Sequence, residues 1–176
     1  MTEKIYRIAQ KYKKRYRTSD PFRLLDEMGA AVSYRDNYVK LRGFCTILLG
    51  LKYVVISSAQ PREEQRIVAA HEAGHLILHA DDLADGRGMS EYTLYRTSCI
   101  QETEANLFAA DFLMEDNEVM DRMQDLEGDC FRVAKALSVP SDFLMFKVHS
   151  MKERGYDLKL PRELNARFLS GNDFRE

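Results

Sequence analysis

The sequence predicts an α+β fold: a small antiparallel sheet of about three strands, packed by one motif-bearing helix and a mostly helical C-terminal half. Three observations carry this. Short runs rich in β-branched and aromatic residues, separated by turn residues, lie between Ala31 and Ser57. The links between them are too short for helical crossovers, which predicts antiparallel neighbours. From Pro61 onward the chain reads mostly as helix.

The N-terminal elements are helical. Ile5, Ile8, Ala9, Tyr12 and Tyr16 recur at helical spacing while Lys and Arg fill the other faces, which predicts an amphipathic helix with a solvated basic face. Ser19-Asp20-Pro21 reads as a cap followed by a first-turn proline, opening a helix from Phe22 to Met28 that stops at Gly29. Ala31 to Tyr34 reads as a strand, Asp36-Asn37 as a turn, and Tyr38 to Leu48 as a longer strand with a bulge at Gly43. Gly50 marks the next turn, and Tyr53 to Ser57 a third strand. Pro61 suits the start of a helix whose first turn carries Glu63 and Glu64. Asp81 to Ser98 reads as a long loop.

Composition narrows the class. The 176 residues suit one domain, or one with a small appendage. A net charge of -2 gives no global field directed at nucleic acid or acidic lipid. Cys45, Cys99 and Cys130 form no C-x-x-C pair, so they read as buried thiols in a reducing compartment. The N-terminus lacks an uninterrupted apolar core and no stretch is long enough to span a bilayer, so a cytoplasmic location is expected.

The chemistry is carried by His71-Glu72-Ala73-Gly74-His75, an H-E-x-x-H motif on a predicted helix. A spacing of four places both imidazoles on one face, one turn apart, within reach of one ion. Glu72 lies beside that face and can take a proton from an attacking water without being a ligand. Zinc favours this donor set, and an open fourth position makes such a site catalytic. Ile67, Gly74 and Leu78 share the side of His71 and His75, so that side is expected to face inward. A mid-helix glycine costs about 1 kcal/mol against alanine; Gly74 is expected to admit another element close to the metal.

A third protein ligand is needed, and the next predicted helix, Ile100 to Met114, offers Glu102 and Glu104. Glu102 shares a face with Ala105, Ala109, Phe112 and Leu113, the apolar face, whereas Glu104 lies about 200° round with Phe108 and Asp111 on a more polar side. Glu102 is therefore the expected ligand, with Glu104 supporting it or lying at the surface. His79, a further turn along, is expected to orient a ligand or cap the helix; His149 reads as structural. Tyr92 and Tyr95, in the predicted loop, are candidates for stabilising the oxyanion.

The residues from Val54 to Met114 resemble the ImmA/IrrE family of metallopeptidases, on QRIVAAHEAGHLILH and then ETEANLFAADFLM. The resemblance extends to a strand before the H-E-x-x-H helix and a histidine at the His79 position. It implies a zincin-like fold, one zinc per chain on His71, His75 and a glutamate from the second segment, which independently favours Glu102, and Glu72 as general base. It further implies a bacterial protein of the kind often encoded on prophages or integrative elements, which cleaves a partner helix-turn-helix repressor. Because the chain begins almost directly with the predicted catalytic helices, it resembles the stand-alone form. It departs from the family at Glu115, where proline is common after Leu-Met.

The expected division is a metallopeptidase domain over 1–120 and a helical C-terminal region over 121–176, the latter packed on the same core or separate. Phe131 to Ser141 and Phe143 to Met151 read as helix, turn, helix, with Ser138-Val139-Pro140 at the turn. The second helix is rich in large apolar residues and short of basic ones, so packing or partner docking is favoured over DNA binding. The function expected is that of a zinc-dependent endopeptidase acting on a specific protein, a phage or mobile-element repressor. The alternative is a metal-containing regulatory protein that binds a repressor or DNA with little proteolysis.

Overall fold

The computed structural model describes residues 1–36, 41–84 and 100–158. The element order is α1 (Thr2–Tyr16), α2 (Pro21–Glu27), β1 (Ala30–Arg35), β2 (Gly43–Leu48), β3 (Leu51–Ser57), α3 (Arg62–Leu78), α4 (Ala80–Ala84), α5 (Ile100–Leu113), α6 (Asp116–Asp125), α7 (Cys130–Ala136) and α8 (Ser141–Glu153). The α+β class read from the sequence holds.

Local signals set most boundaries. Asp20 caps α2 by accepting a hydrogen bond from the Phe22 amide, with Pro21 in the first turn. Gly29 then takes φ 70°, left-handed backbone that glycine adopts without strain. The Asp129 carboxylate likewise caps α7, accepting from the amides of Phe131 and Arg132.

The sheet corrects the sequence reading in two respects. Its order is β1-β3-β2, and it is mixed: β2 and β3 pair antiparallel, but β1 and β3 pair parallel. Short links do exclude a helical crossover, but β2 itself serves as one. The chain passes from β1 to the far edge, runs back as β2, and returns through a tight hairpin as β3 between the two. Gly43 is no bulge, since the register runs unbroken from Gly43↔Ile56 to Leu48↔Leu51. Its reason is steric: a Cβ there would lie 2.9 Å from the Val55 carbonyl oxygen and would overlap Val68 Cγ1 on α3. The glycine lets the edge strand rest on the motif helix. The predicted strand residues 38–40 fall outside the described residues, and β2 is correspondingly shorter.

Helix α3 lies against β2 and β3 on one side and α5 on the other. Glycine again sets the spacing: a Cβ on Gly74 would lie 3.2 Å from the Cα and the carbonyl oxygen of Ala105 and from Phe108 Cδ1. This is the close approach expected of that residue. From Ala105 to Phe112 helix α5 is buried on every side, with Phe108 and Asp111 as inaccessible as Ala105 and Phe112. The more polar side assigned to it from the sequence is therefore not a surface. Asp111 faces α8, where Lys147 and Ser150 bind its carboxylate.

Helices α7 and α8 form the helix-turn-helix element read from the sequence, with Ser138 at φ 54° in the turn. In α8, Phe143, Leu144, Phe146, Val148 and Met151 are all buried, in the same core cluster as the residues of α3 and α5. At the other end of the chain, the basic face of α1 is not wholly solvated: Lys13 Nζ bonds Glu115 Oε1 at 2.6 Å and is itself mostly covered. Glu115, the position that departs from the family, thereby ties the start of α6 to α1.

Cys45 and Cys130 are buried free thiols, as expected; Cys99 lies outside the described residues. The predicted 81–98 loop begins with the short helix α4, and its remainder, with Tyr92 and Tyr95, lies outside them too. Among the described residues, no helix is long and apolar enough to cross a membrane.

Candidate metal centre

Two helices build the site. α3 supplies His71 and His75 on the face turned toward α5, one helical turn apart, with ring centroids 4.7 Å from each other. α5 supplies Glu102 from its first turn. His71 Nε2 lies 3.0 Å from His75 Nε2, Glu102 Oε2 lies 3.4 Å from His71 Nε2, and Glu102 Oε1 lies 3.2 Å from His75 Nε2. All three residues are at most 3% exposed, and Glu72 is 1% exposed. Of the four residues singled out in the sequence, the structure brings His71, His75 and Glu102 to one point and leaves Glu72 beside them.

This arrangement fits a divalent metal. Asn106, one turn beyond Glu102, has its Oδ1 3.1 Å from His71 Nδ1. With Oδ1 as acceptor, His71 carries its proton on Nδ1, so the neutral ring turns the Nε2 lone pair toward His75 and Glu102. Glu102 Oε1, although buried, has no hydrogen-bond partner. An inward carboxylate facing imidazole lone pairs is unfavourable without a cation to share. Tetrahedral ligands about 2.0–2.2 Å from an ion lie about 3.3 Å from one another, close to the separations found. Among the described residues, this His-His-Glu group is the cluster of metal-binding side chains that the fold assembles.

The electrostatics follow from burial and proximity. Burial opposes charging His71, but Glu102, Glu72 and Asn106 outweigh it and raise its pKa. His75 is lowered to about 4, by burial above all, with the neighbouring His71 and His79 adding to it against the pull of Glu102. Burial would raise Glu102, yet the closeness of His71 and His75 holds it at about 2. Glu72 is pushed up to about 7, chiefly by burial. Its Oε2 is buried without a partner. On its other side lies β2: an added Cβ on Gly43 would stand 3.4 Å from Glu72 Oε1. Cys45, two residues along the same strand face, is held as a neutral thiol, its pKa driven well up by burial and then by the Glu72 charge.

Around this centre lie residues that the sequence reading left open or missed. His79 is the C-cap of α3, with Nδ1 3.2 Å from His75 Nδ1 and Nε2 2.9 Å from Glu104 Oε2. Asn106 escaped notice, although its spacing of four from Glu102 was a usable signal. Gly43 and Cys45 had none, since only the fold brings β2 against Glu72. His149 lies on α8, away from the cluster.

Paired histidines one turn apart on a buried helix, a glutamate between them, and a carboxylate from a second helix define the site type of a metallopeptidase. The chain belongs to that kind of family: the model of the IrrE N-terminal-like domain family, Peptidase M78, matches residues 23–149. The match spans β1 to β3, both site helices and most of α8. The chain is also 30% identical over 139 residues to "Uncharacterized immunity region protein 2" of Bacillus phage phi105, covering 79% of this chain and 85% of that protein.

Proposed function

We propose that this protein is a zinc-dependent endopeptidase that hydrolyses one specific protein, a helix-turn-helix transcriptional repressor of a phage or mobile element. The observation that carries the reading is the convergence of His71, His75 and Glu102 beside a buried, unpartnered Glu72 oxygen. His71, His75 and Glu102 would hold one zinc, leaving a position open to water and substrate. When bound, the metal supplies Lewis acidity toward the scissile carbonyl and the attacking water.

The remaining work falls to the chain. Glu72 accepts the attacking water's proton at its free Oε2 and returns it to the leaving amine. A purely structural metal site has no use for that carboxylate. Gly43 and Gly74 set β2 and α5 at the spacing that holds the base and the ligands in register.

The choice of substrate rests on the family and on the immunity-region name of the phage relative. The alternative, a metal-containing regulator that binds a repressor or DNA with little proteolysis, draws less support. Lys147, one of the few basic residues of α8, is fully buried against Asp111 and offers nothing to a phosphate backbone. The test is incubation with the repressor encoded beside this gene, with Glu72→Gln to trap the complex. Cleavage of that repressor by the wild-type protein, and binding without cleavage by Glu72→Gln, is expected. Degradation of unfolded casein with no action on the repressor would point to a housekeeping peptidase instead. Sequence-specific DNA binding by the chain alone would favour the alternative.

A further inference from the structure

The two imidazoles of the cluster are held differently. His71 is fixed directly, by Asn106 on α5. On the side of His75 away from Glu102, its Nδ1 meets His79 Nδ1 at 3.2 Å, and His79 in turn reaches α5, with Nε2 2.9 Å from Glu104 Oε2. The direction of this chain follows from the inventory of donors. An ionised carboxylate only accepts, so the proton between His79 and Glu104 belongs to His79 Nε2. A neutral His79 then has a bare Nδ1, which accepts from His75. His75 therefore carries its proton on Nδ1, and its Nε2 lone pair points at His71 and Glu102.

Resting on the metal reading of the cluster, we propose that Glu104 is a positioning residue which, through His79, fixes the tautomer and ring orientation of His75 for metal binding. The geometry favours this over a passive surface pair. The His79 side chain is 9% exposed, and Glu104 reaches it from the side of α5 turned away from Glu102. Only the end of α3, where the helix closes on His79 as its C-cap, brings the two within bonding distance. α5 thus touches the centre at three points within five residues: Glu102 as ligand, Asn106 on one imidazole, and Glu104 on the other through an intermediary. Partners that hold a ligating histidine by its second nitrogen change metal affinity by about 10–100-fold when removed.

The experiment uses the full-length chain, with zinc affinity measured by competition against a chromogenic chelator. Histidine tautomers of the metal-free protein are read by long-range proton–nitrogen NMR. Glu104→Ala and His79→Ala are each expected to weaken zinc binding by about 10–100-fold and to convert the His75 signal from Nδ1-protonated to a mixture of tautomers. Glu104→Gln keeps an acceptor for His79 Nε2–H, so it should stay within a few-fold of wild type and retain the tautomer. Glu104→Ala with wild-type affinity and an unchanged His75 tautomer would overturn the proposal. A wild-type chain that takes up no zinc would instead remove the metal reading beneath it, so the two failures are told apart.

Discussion

Lys147 and Asp111 are both wholly buried, and they meet at 2.9 Å across the interface between α8 and α5. Lys147 also reaches Asp116 Oδ1 at 2.6 Å, while Ser150 Oγ donates to Asp111 Oδ2 at 2.7 Å. Arg154 makes a two-pronged contact with Asp116, at 2.6 and 2.7 Å, and its guanidinium stacks 3.6 Å over the Tyr6 ring of α1. Four helices thus share one buried ionic group on the side of α5 away from β2. The helix that supplies Glu102 is thereby clamped at its far end.

Removing one partner of a buried ion pair strands the other charge, which costs about 3–5 kcal/mol. Lys147→Met should therefore lower unfolding stability by that order in urea titration. The double variant Asp111→Asn with Lys147→Met should recover a good part of the loss, because no charge is left unpaired. A single variant within about 1 kcal/mol of wild type would show that Arg154 alone neutralises Asp111, since surface-like pairs contribute no more than that.

The same group sets an acid limit. Burial works against ionising Asp116, but hydrogen bonds from Arg154 and Lys147 prevail and hold its carboxyl far below the usual range. A depressed folded pKa contributes stability that is present above the unfolded value of about 3.9 and is lost as pH falls below it. Asp111 acts in the opposite sense: burial raises its pKa despite Lys147, Ser150 and Arg154, so acid relieves part of its cost. Stability measured from pH 7 down to pH 3 should decline from about pH 5. Asp116→Asn should be less stable at neutral pH and show a shallower decline. An acid limb of unchanged slope in that variant would place the titrating group elsewhere.

How much of this was legible beforehand depended on whether the signal was local. The H-E-x-x-H spacing, the Asp20 cap, the strand runs and the Glu102 phase are local patterns, and each took its place. The choice of Glu102 over Glu104 came from helical phase, although the face assigned as polar turned out to be buried around Asp111. Nothing local marks a carboxylate whose partners lie 36 and 39 residues downstream on α8. The parallel pairing of β1 with β3 was hidden for a related reason. Link length limits which connection is possible, but not the edge on which the next strand docks. Gly43 looked like a bulge because a glycine in a strand commonly marks one, whereas its role depends on Val68, 25 residues away.

Gly74 tests whether the spacing of α3 and α5 governs the metal centre. Alanine there gains about 1 kcal/mol of helix propensity but places a Cβ 3.2 Å from the Ala105 backbone, which must give way by a few tenths of an ångström. Gly74→Ala should therefore unfold near the wild-type midpoint while binding zinc more weakly, because Glu102 rides on the displaced helix. Gly74→Leu should cost at least about 1–3 kcal/mol through overpacking. Wild-type affinity in Gly74→Ala, measured by chelator competition, would show that the ligands adjust independently of the helix spacing.

Glu72 separates binding from chemistry. Gln is nearly isosteric and neutral, so Glu72→Gln should retain the fold and the zinc while cleavage falls by at least about 10²–10⁴-fold, the contribution typical of a general base. Zinc should still stabilise this variant against heat. A ligand bound only by the folded state adds about 2.7 kcal/mol at a hundredfold excess over its dissociation constant, and chelation should reverse that shift. His75→Ala and Glu102→Ala should lose both the stabilisation and the cleavage, because they remove ligands rather than the base. The informative comparison is thermal denaturation with and without zinc alongside single-turnover cleavage of a confirmed substrate. A Glu72→Gln protein that cleaves at the wild-type rate would assign the proton transfer to another group. One that no longer responds to zinc would instead make Glu72 part of the metal's own coordination.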